Sequence, residues 1–330
     1  MTDTSDWSAK IFTELSESDF ETLALEAFRF QFQHVQIYRD YCQNLRINLT
    51  EVHTIGQIPF LPIGIFKKHE VKVDNRHVET IFTSSGTTGM ETSRHFVSDL
   101  SIYETGFLKA FERFYDPVGD YCTLALLPSY LERQGSSLVY MAGKLIQWSN
   151  HPESGFYLNN YQELATVLEK QSKSGKKTLL LGVTYALLDL AEMYPIELSN
   201  TIVMETGGMK GRRREMIREE LHQTLCTAFG VASIHSEYGM TELLSQAYSK
   251  GDGIFNSPPW MKIMIRDTYD PFQYLPKEKS GGINVIDLAN IHSCCFIETQ
   301  DIGKILPDGS FAILGRFDQS DIRGCNLMVG

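Results

Sequence analysis

The hydrophobic pattern of the N-terminal part indicates a helix followed by an extended linker. Ser18 and Glu21 have the spacing of a capping box, and apolar side chains then recur at helical intervals over residues 28–45. This pattern predicts one long amphipathic helix that begins near Ser18. Two prolines interrupt the apolar run 58–63, which predicts an extended segment packed against other apolar residues. We therefore expect residues 1–75 to form a helical segment with a linker.

From residue 76 to residue 250 the pattern changes to short apolar runs, each followed by a turn and a helical stretch. The runs with strand character are 78–82, 122–127, 178–181 and 201–204. Strands that alternate with helices predict a parallel or mixed sheet covered by helices on both faces. Ligands of such folds bind beyond the carboxyl ends of the strands, which is where we expect the glycine-rich turns.

After Gly251 the helical periodicity ends, and we predict a smaller β-rich subdomain over residues 251–330. The predicted strands are 260–265, 282–286, 303–306 and 311–314. The last two are joined by residues 307–309, whose sequence Pro-Asp-Gly is typical of a turn. The predicted fold class is therefore α/β, with a larger core at 76–250 and the β-rich subdomain after it.

Composition and charge narrow the class of protein. The chain has 330 residues, of which 42% are hydrophobic and 22% charged, as is typical of a folded globular protein. Its formal net charge of −11 disfavours binding to nucleic acid or to anionic lipid. The N-terminus lacks the pattern of a signal peptide and no apolar run could span a bilayer, so we expect a cytoplasmic protein without membrane insertion. The six cysteines have neither the pairing of a disulfide framework nor the spacing of a zinc site.

Hydroxyl groups and glycines follow the first strand predicted for the core. The residues are Thr83, Ser84, Ser85, Gly86, Thr87, Thr88 and Gly89. Glycines let the backbone approach an anion, and backbone N–H groups and side-chain hydroxyls can then bind phosphate oxygens. A flexible surface loop has a similar composition, so these residues alone leave both interpretations open.

A second segment with candidate chemistry is 237–242. Tyr238 can stack on a flat heterocycle, Thr241 can donate to a phosphate oxygen, and Glu242 can hold a hydrated magnesium ion. The alternative is a buried tyrosine beside a turn with a solvated glutamate. Taken in isolation, these residues favour that alternative.

A third segment, 205–211, is followed by three arginines at the start of a predicted helix. Three cations at a helix N-terminus oppose the helix dipole, and such a conflict often marks an anion site. Arginines that point to solvent or pair with the nearby glutamates explain the pattern equally well.

Together and in this order, the three segments resemble the adenylate-forming superfamily of acyl-CoA synthetases, peptide-synthetase adenylation domains and luciferases. The resemblance implies that 83–89 is a phosphate loop, that Glu242 binds magnesium and that Asp318 is a hinge residue. It also implies a set of adenine- and ribose-binding residues, which are Glu205, Gly207, Gly208, Tyr238, Gly239, Met240, Asp301 and Arg316. Residues 76–250 would then be the nucleotide-binding core.

Within that superfamily the chain most resembles LuxE-type acyl-protein synthetases, and after them the phenylacetate-CoA ligases. The segments that carry this resemblance are 58–63, 127–133, 135–138, 238–242, 315–318 and 323–325. Members of the LuxE family accept the acyl group as a thioester on a cysteine near the C-terminus. The resemblance therefore implies that Cys325 is the acyl acceptor, and an incidental thiol is the alternative interpretation.

Two features differ from the superfamily pattern. Its phosphate loop usually carries a lysine soon after the last glycine, whereas the first cation here is Arg94, which differs from lysine in geometry and hydration. We predict that Arg94 takes part in catalysis with Thr241 and Cys325. The superfamily also has a mobile C-terminal domain that supplies a catalytic lysine. Because the sequence stops at Gly330, we expect that domain to be absent or minimal, as in the short LuxE-type proteins.

The resemblance implies an enzyme that uses ATP and Mg²⁺ to activate a carboxylic acid, fatty or aryl, as an acyl-adenylate. The acyl group would pass to Cys325 and then to a partner protein, a reductase or a carrier. The alternatives are a shortened aryl-CoA-type ligase that uses coenzyme A, and a non-catalytic module that binds nucleotide or acyl groups. Gly182, Val183 and Tyr185 follow a predicted strand and could border the acyl pocket, or Tyr185 could pack in the core.

Overall fold

The computed structural model describes residues 6–84, 91–128, 135–207 and 216–317. Within them the fold is α/β, as predicted, with one sheet of 12 strands, a separate two-stranded sheet, and helices. The helices are α1 (Trp7–Ile11), α2 (Glu17–His34), α3 (Gln36–Asn44), α4 (Ile65–Lys68), α5 (Leu100–Phe114), α6 (Ser137–Ser149), α7 (Tyr161–Ser174), α8 (Thr184–Met193) and α9 (Arg218–Phe229). None of these described helices is both long and apolar enough to cross a membrane.

The strands follow the predicted order along the chain. They are β1 (Leu61–Pro62), β2 (Thr80–Thr83), β3 (Arg94–Val97), β4 (Cys122–Leu126), β5 (Gly155–Tyr157), β6 (Thr178–Val183), β7 (Thr201–Thr206), β8 (His235–Tyr238), β9 (Ala247–Ser249), β10 (Ile254–Asn256), β11 (Met261–Arg266), β12 (Gly281–Asp287), β13 (Phe296–Ile305) and β14 (Phe311–Arg316). Neighbours in the large sheet lie in the order β11, β12, β13, β14, β10, β9, β8, β7, β6, β4 and β5, with β1 on β13.

The central part of the sheet is parallel and buried. Strands β8, β7, β6, β4 and β5 pair in parallel, and every residue of β4 and β6 is buried. Near-continuous apolar runs are expected where helices cover both faces of a parallel sheet. The register aligns Thr206 of β7 with Glu237 of β8. The second and third candidate segments therefore meet at the carboxyl ends of neighbouring strands.

The β-rich part continues the same sheet in antiparallel pairing. The strands predicted at 260–265, 282–286, 303–306 and 311–314 correspond to β11 to β14. The turn at 307–309 is confirmed, because Leu306 N donates to Ser310 O at 2.7 Å and Gly309 has a positive φ of 94°. The large sheet runs without a break across residue 250. The division into segments 1–75, 76–250 and 251–330 stays a prediction.

The first strand predicted for the core lies outside the large sheet. Among the described residues, strand β2 pairs with β3 alone, antiparallel, and Thr83 lies opposite Arg94 in this hairpin. Only Phe82 of β2 is buried, whereas a strand inside a covered parallel sheet is buried on both faces. The segment predicted to bind phosphate therefore begins where β2 ends, in the connection between the two strands of a hairpin.

The start of the long N-terminal helix differs from the prediction. The capping box is formed by Ser16 and Asp19, not by Ser18 and Glu21. Asp19 N donates to Ser16 Oγ at 3.1 Å, and Ser16 N donates to Asp19 Oδ2 at 3.2 Å. Asp at the third helical position satisfies the cap as Glu does in the usual pattern, so the sequence contained two competing boxes.

The predicted long helix is also interrupted. Val35 has extended geometry with φ −113°, and it separates α2 from α3. The carbonyl of His34 accepts a hydrogen bond from Asp74 N at 2.8 Å instead of one from the next helical turn.

The linker prediction is confirmed, because Phe60 and Leu61 are buried and β1 pairs with β13.

Candidate functional site

The segment predicted to bind phosphate starts from a fixed hairpin end. Thr83 N donates to Gly135 O at 2.7 Å. Ser84 N donates to Ser93 O at 3.1 Å, and Ser93 N donates to Ser84 Oγ at 2.8 Å. Arg94 lies directly opposite Thr83. The hairpin therefore holds Thr83, Ser84 and Arg94 together where the candidate loop begins.

Tyr238, Asp301 and Arg316 form a hydrogen-bonded cluster next to the end of β8. Arg316 Nε lies 3.0 Å from Asp301 Oδ1, and the Tyr238 hydroxyl donates to Asp301 Oδ2 at 2.8 Å. Burial, together with the charge of Asp301, raises the pKa of Tyr238 well above its usual value. The hydroxyl therefore remains a donor, and it orients the carboxylate that the resemblance assigns to ribose.

The ring of Tyr238 is mostly inside the protein. It is 8% exposed, and its centroid lies 6.0 Å from that of Phe255 and 5.8 Å from that of Phe311, both in edge-to-face geometry. Stacking of this ring on adenine stays a prediction. The contact between its hydroxyl and Asp301 is a role that the sequence did not indicate.

Glu242 is a buried carboxylate beside the hairpin. It is 5% exposed, and burial raises its pKa, whereas a hydrogen bond from Ser93 and the charges of Arg316 and Lys67 lower it. A nearby cation would stabilise the ionised form of such a carboxylate. Among the described residues no group of three or more His, Cys, Asp or Glu side chains could hold a metal. Glu242 thus fits an ion that takes its other ligands from water and phosphate.

Four side-chain contacts that sequence reasoning missed hold the backbone around Glu242. His95 Nδ1 lies 2.8 Å from Thr241 O, and Asn290 Nδ2 donates to Glu242 O at 2.7 Å. The two backbone N–H groups at 244 and 245 donate to one oxygen of Asp287, at 2.8 and 3.0 Å. The residues that make these contacts come from β3, from the last position of β12 and from the turn after it, so no local sequence signal links them.

The predicted adenine-flanking residues lie at the ends of β7 and β8. Thr206 Oγ1 donates to Glu237 Oε2 at 2.6 Å. Thr184 Oγ1 lies within hydrogen-bond distance of Glu205 Oε2 and Gly207 O, at 3.1 and 2.8 Å. Burial, with the charge of Glu205 adding to it, raises the pKa of Glu237 to about 7. Gly239 and Met240 follow directly on the same sheet edge.

The residues predicted to border an acyl pocket are buried. Gly182 and Val183 end strand β6 rather than forming a turn, and Tyr185, in the first turn of α8, is 2% exposed. A Cβ atom at Gly182 would lie 2.7 Å from the Leu187 side chain. Leu187 therefore fills the space that the glycine leaves, and contact of these residues with an acyl chain stays a prediction.

Several candidate residues lie outside the described part of the chain. They are Ser85, Gly86, Thr87, Thr88 and Gly89 of the phosphate segment, together with Gly208, Asp318 and Cys325. One region around the ends of β2, β8 and β14 and the middle of β13 brings together the described candidates Thr83, Ser84, Arg94, Thr241, Glu242, Tyr238, Asp301 and Arg316.

Part of the sequence is similar to a known family. Residues 6–106 match the family described as acyl-protein synthetase, LuxE. The chain is 23% identical over 329 residues to the long-chain-fatty-acid–luciferin-component ligase of Vibrio harveyi. The alignment covers 92% of this chain and 85% of that protein. These similarities confirm the predicted resemblance to LuxE-type acyl-protein synthetases.

Solved structures of other proteins have a similar fold. A 2-hydroxyisobutyryl-CoA ligase in complex with 2-HIB-AMP and CoA has a TM-score of 0.65 at 11% identity, over 97% of this chain and 77% of that one. ATP-bound MatB from Rhodopseudomonas palustris has a TM-score of 0.55 at 16% identity, over 74% of this chain and 50% of that one. The alignment with MatB thus covers about half of that protein's length. At these identities the similarity shows a shared fold.

Proposed function

We propose that this protein, whose sequence is similar to those of the LuxE acyl-protein synthetases, is an AMP-forming acid–thiol ligase. It activates a carboxylic acid with ATP as an acyl-adenylate and transfers the acyl group to a thiol. A long-chain fatty acid is the first substrate class to test, because the similar Vibrio harveyi enzyme is named for one. The observation that carries the proposal is the cluster of Tyr238, Asp301 and Arg316 next to Glu242 and the β2–β3 hairpin.

The cluster suits the ribose of a nucleotide. A carboxylate has two oxygens that can each accept hydrogen bonds from hydroxyl groups. Asp301 already accepts from the Tyr238 hydroxyl, which fixes its orientation, and Arg316 balances its charge. Arg316 has an exposed side chain, so it can reach a bound nucleotide without leaving the strand that positions it.

The hairpin end and Glu242 suit the phosphates. Thr83, Ser84 and Thr241 supply hydroxyl donors, and Arg94 supplies a cation opposite Thr83. Glu242 would hold Mg²⁺, which, when bound, neutralises charge on the phosphate oxygens. The carboxylate of the acid substrate and the α-phosphate are both anions, so these donors lower the barrier mainly by positioning and by charge stabilisation.

Acyl transfer requires a reactive thiol. In the proposed step the thiolate sulfur attacks the acyl carbon, the bond to the AMP oxygen breaks, and AMP leaves while the thiol proton passes to solvent. Burial raises the pKa of each described cysteine, namely Cys42, Cys122, Cys226, Cys294 and Cys295. Thiols with raised pKa are poor nucleophiles. This supports Cys325 as the acceptor, from which the acyl group passes to a partner protein, a reductase or a carrier.

The test is acid-dependent exchange of pyrophosphate into ATP, measured for a panel of fatty and aryl acids. Exchange with at least one acid, together with an acyl adduct on Cys325 detected by mass spectrometry, is the expected result. Cys325→Ser should keep the exchange and lose the adduct, whereas the control Cys226→Ser should keep both. Formation of a CoA thioester without any protein adduct would assign the aryl-CoA-type ligase instead. Absence of exchange across the panel would assign a binding module without catalysis.

A further inference from the structure

A buried histidine and a buried asparagine fix two consecutive backbone carbonyls at the candidate metal site. His95 lies on β3, Asn290 ends the short helical turn Leu288–Asn290, and both side chains are fully buried. His95 Nδ1 lies 2.8 Å from Thr241 O, and Asn290 Nδ2 donates to Glu242 O at 2.7 Å. A carbonyl only accepts, so the ring proton of His95 must be on Nδ1.

The neutral ring is the stable form of His95. Burial lowers its pKa to about 4, and the hydrogen bonds with Thr241 and Asn290 oppose this shift only in part. The contact with the Thr241 carbonyl is therefore a permanent hydrogen bond at neutral pH and not a switch.

Asn290 is itself held by the N-terminal helices. Gln31 of α2 donates to Asn290 O at 3.0 Å, and its Oε1 accepts from Cys295 N at 3.0 Å. Three residues before Asn290, Asp287 accepts from the backbone N–H groups at 244 and 245. The turn that carries Asn290 is thus attached both to α2 and to the backbone that follows Glu242.

His95 connects the same backbone to the hairpin that presents Thr83 and Ser84. It lies opposite Phe82 in the register of β2 and β3, one position from the Thr83 and Arg94 pair. Ser93, two residues earlier, hydrogen-bonds the Glu242 carboxyl group. Ser93 and the strand that follows it therefore contact both the carboxylate of the proposed metal ligand and the carbonyl of the preceding residue, Thr241.

We propose that His95 and Asn290 are positioning residues for Mg²⁺-dependent nucleotide binding. By fixing the carbonyls of Thr241 and Glu242 they set the direction of both side chains relative to the hairpin. They act through this backbone and not by binding the nucleotide. The proposal rests on the function proposed above, because it assigns a purpose to the placement of Glu242. Because Gln31 of α2 holds Asn290, the proposal also assigns α2 a role in positioning the site.

The experiment measures the affinity of the full-length protein for ATP by calorimetry, once with Mg²⁺ and once with EDTA. His95→Leu and Asn290→Ala should each raise the Kd for ATP with Mg²⁺ by about tenfold, because each removes one buried hydrogen bond. The Kd in EDTA should change by less than about twofold, because the other contacts remain. His95→Asn should keep the wild-type Kd for ATP with Mg²⁺, since the amide N–H of the asparagine can take the place of Nδ1–H of the histidine.

His235→Leu is the matched control. Burial also lowers the pKa of this histidine to about 4, but its Nδ1 contacts the Tyr115 hydroxyl at 3.0 Å, whereas Nδ1 of His95 contacts the Thr241 carbonyl. It should leave both Kd values unchanged. If His95→Leu does not fold, Asn290→Ala and His95→Asn decide the question.

Wild-type affinity with Mg²⁺ in both variants, or an equal loss with and without Mg²⁺, would overturn the positioning role and leave the ligase proposal intact. A wild-type protein that does not bind ATP at all would overturn both.

Discussion

Arg316 and Asp301 face each other across β13 and β14, with the guanidinium Nε 3.0 Å from Asp301 Oδ1. The two partners differ in exposure, because Asp301 is 7% exposed whereas the Arg316 side chain is 69% exposed. Ion pairs with an exposed partner contribute little to stability. A binding role explains the pair better than a stabilising one, since a buried carboxylate fixes one end and the other end is free to meet a ligand.

Arg316→Gln should weaken nucleotide binding with little change in stability. We expect the KM for ATP in pyrophosphate exchange to rise by about tenfold, because a charged hydrogen bond to the ligand is lost. The melting temperature should stay close to that of the wild type. Lys304→Gln, on the neighbouring strand β13, is the control and should leave the KM unchanged. An unchanged KM in Arg316→Gln would remove this residue from the nucleotide site.

Tyr238→Phe separates the two roles that this side chain could have. The phenylalanine ring keeps the packing against Phe255 and Phe311, but the hydrogen bond to Asp301 is lost. If the hydroxyl orients Asp301, the KM for ATP should rise by about threefold to tenfold. If only the ring acts on the nucleotide, Tyr238→Phe should match the wild type and Tyr238→Leu should be impaired. Steady-state kinetics at saturating acid distinguish the two results.

The elements that the sequence predicted well are those with strong local patterns. Strands β4 and β6 are near-continuous apolar runs and β7 contains a shorter one at 202–204, which is the expected pattern for a sheet covered on both faces. The turn at 307–309 was predictable because proline fixes φ, aspartate can hydrogen-bond the backbone and glycine permits a positive φ. The roles of Asp301 and Arg316 came from the family resemblance, since neither residue stands out by its neighbours.

The features that could not be predicted depend on distant parts of the chain. Ser16 and Ser18 are both suitable caps, and only the folded helix shows that Ser16 is used. The pairing of β2 with β3 leaves both strands outside the large sheet. His95 contacts Thr241, which is 146 residues away along the chain. A single histidine in a short strand gives no sign of such a contact, because buried histidines in a core have the same local sequence.

The wild type should lose free energy of unfolding as the pH rises through the pKa of Glu237, and Glu237→Gln should not show this loss. Burial raises the pKa of Glu237 from 4.5 to about 7 in the folded protein. Between these values the folded state binds more protons than the unfolded state, so the contribution of this group to the free energy of unfolding falls with rising pH. From about pH 5 to about pH 8 the wild type should lose about 1–3 kcal/mol relative to Glu237→Gln.

Urea unfolding of both proteins at several pH values measures this difference. The difference in unfolding free energy between the two proteins is more informative than the pH dependence of either one, because other groups also titrate. Burial lowers the pKa of His95, His235 and His292 to about 4. Those histidines make the unfolded state bind more protons below their usual pKa, which changes stability in the opposite direction. Parallel curves for the two proteins would show that Glu237 titrates normally.

Gly135→Ala should disturb the hairpin that begins the phosphate segment. Gly135 has φ 88°, and a Cβ atom there would lie 2.9 Å from Thr83 Oγ1 and 3.1 Å from Ile81 O. Gly309→Ala is the control. Gly309 has φ 94° and no atom within 4 Å of its Cβ position, so an alanine there has the backbone strain without the steric contact. Both variants should lose about 1–2 kcal/mol of stability from the strain. Only Gly135→Ala should also raise the KM for ATP, because it displaces the strand that holds Thr83 and Ser84. An equal KM in the two variants would show that the position of this strand does not affect nucleotide binding.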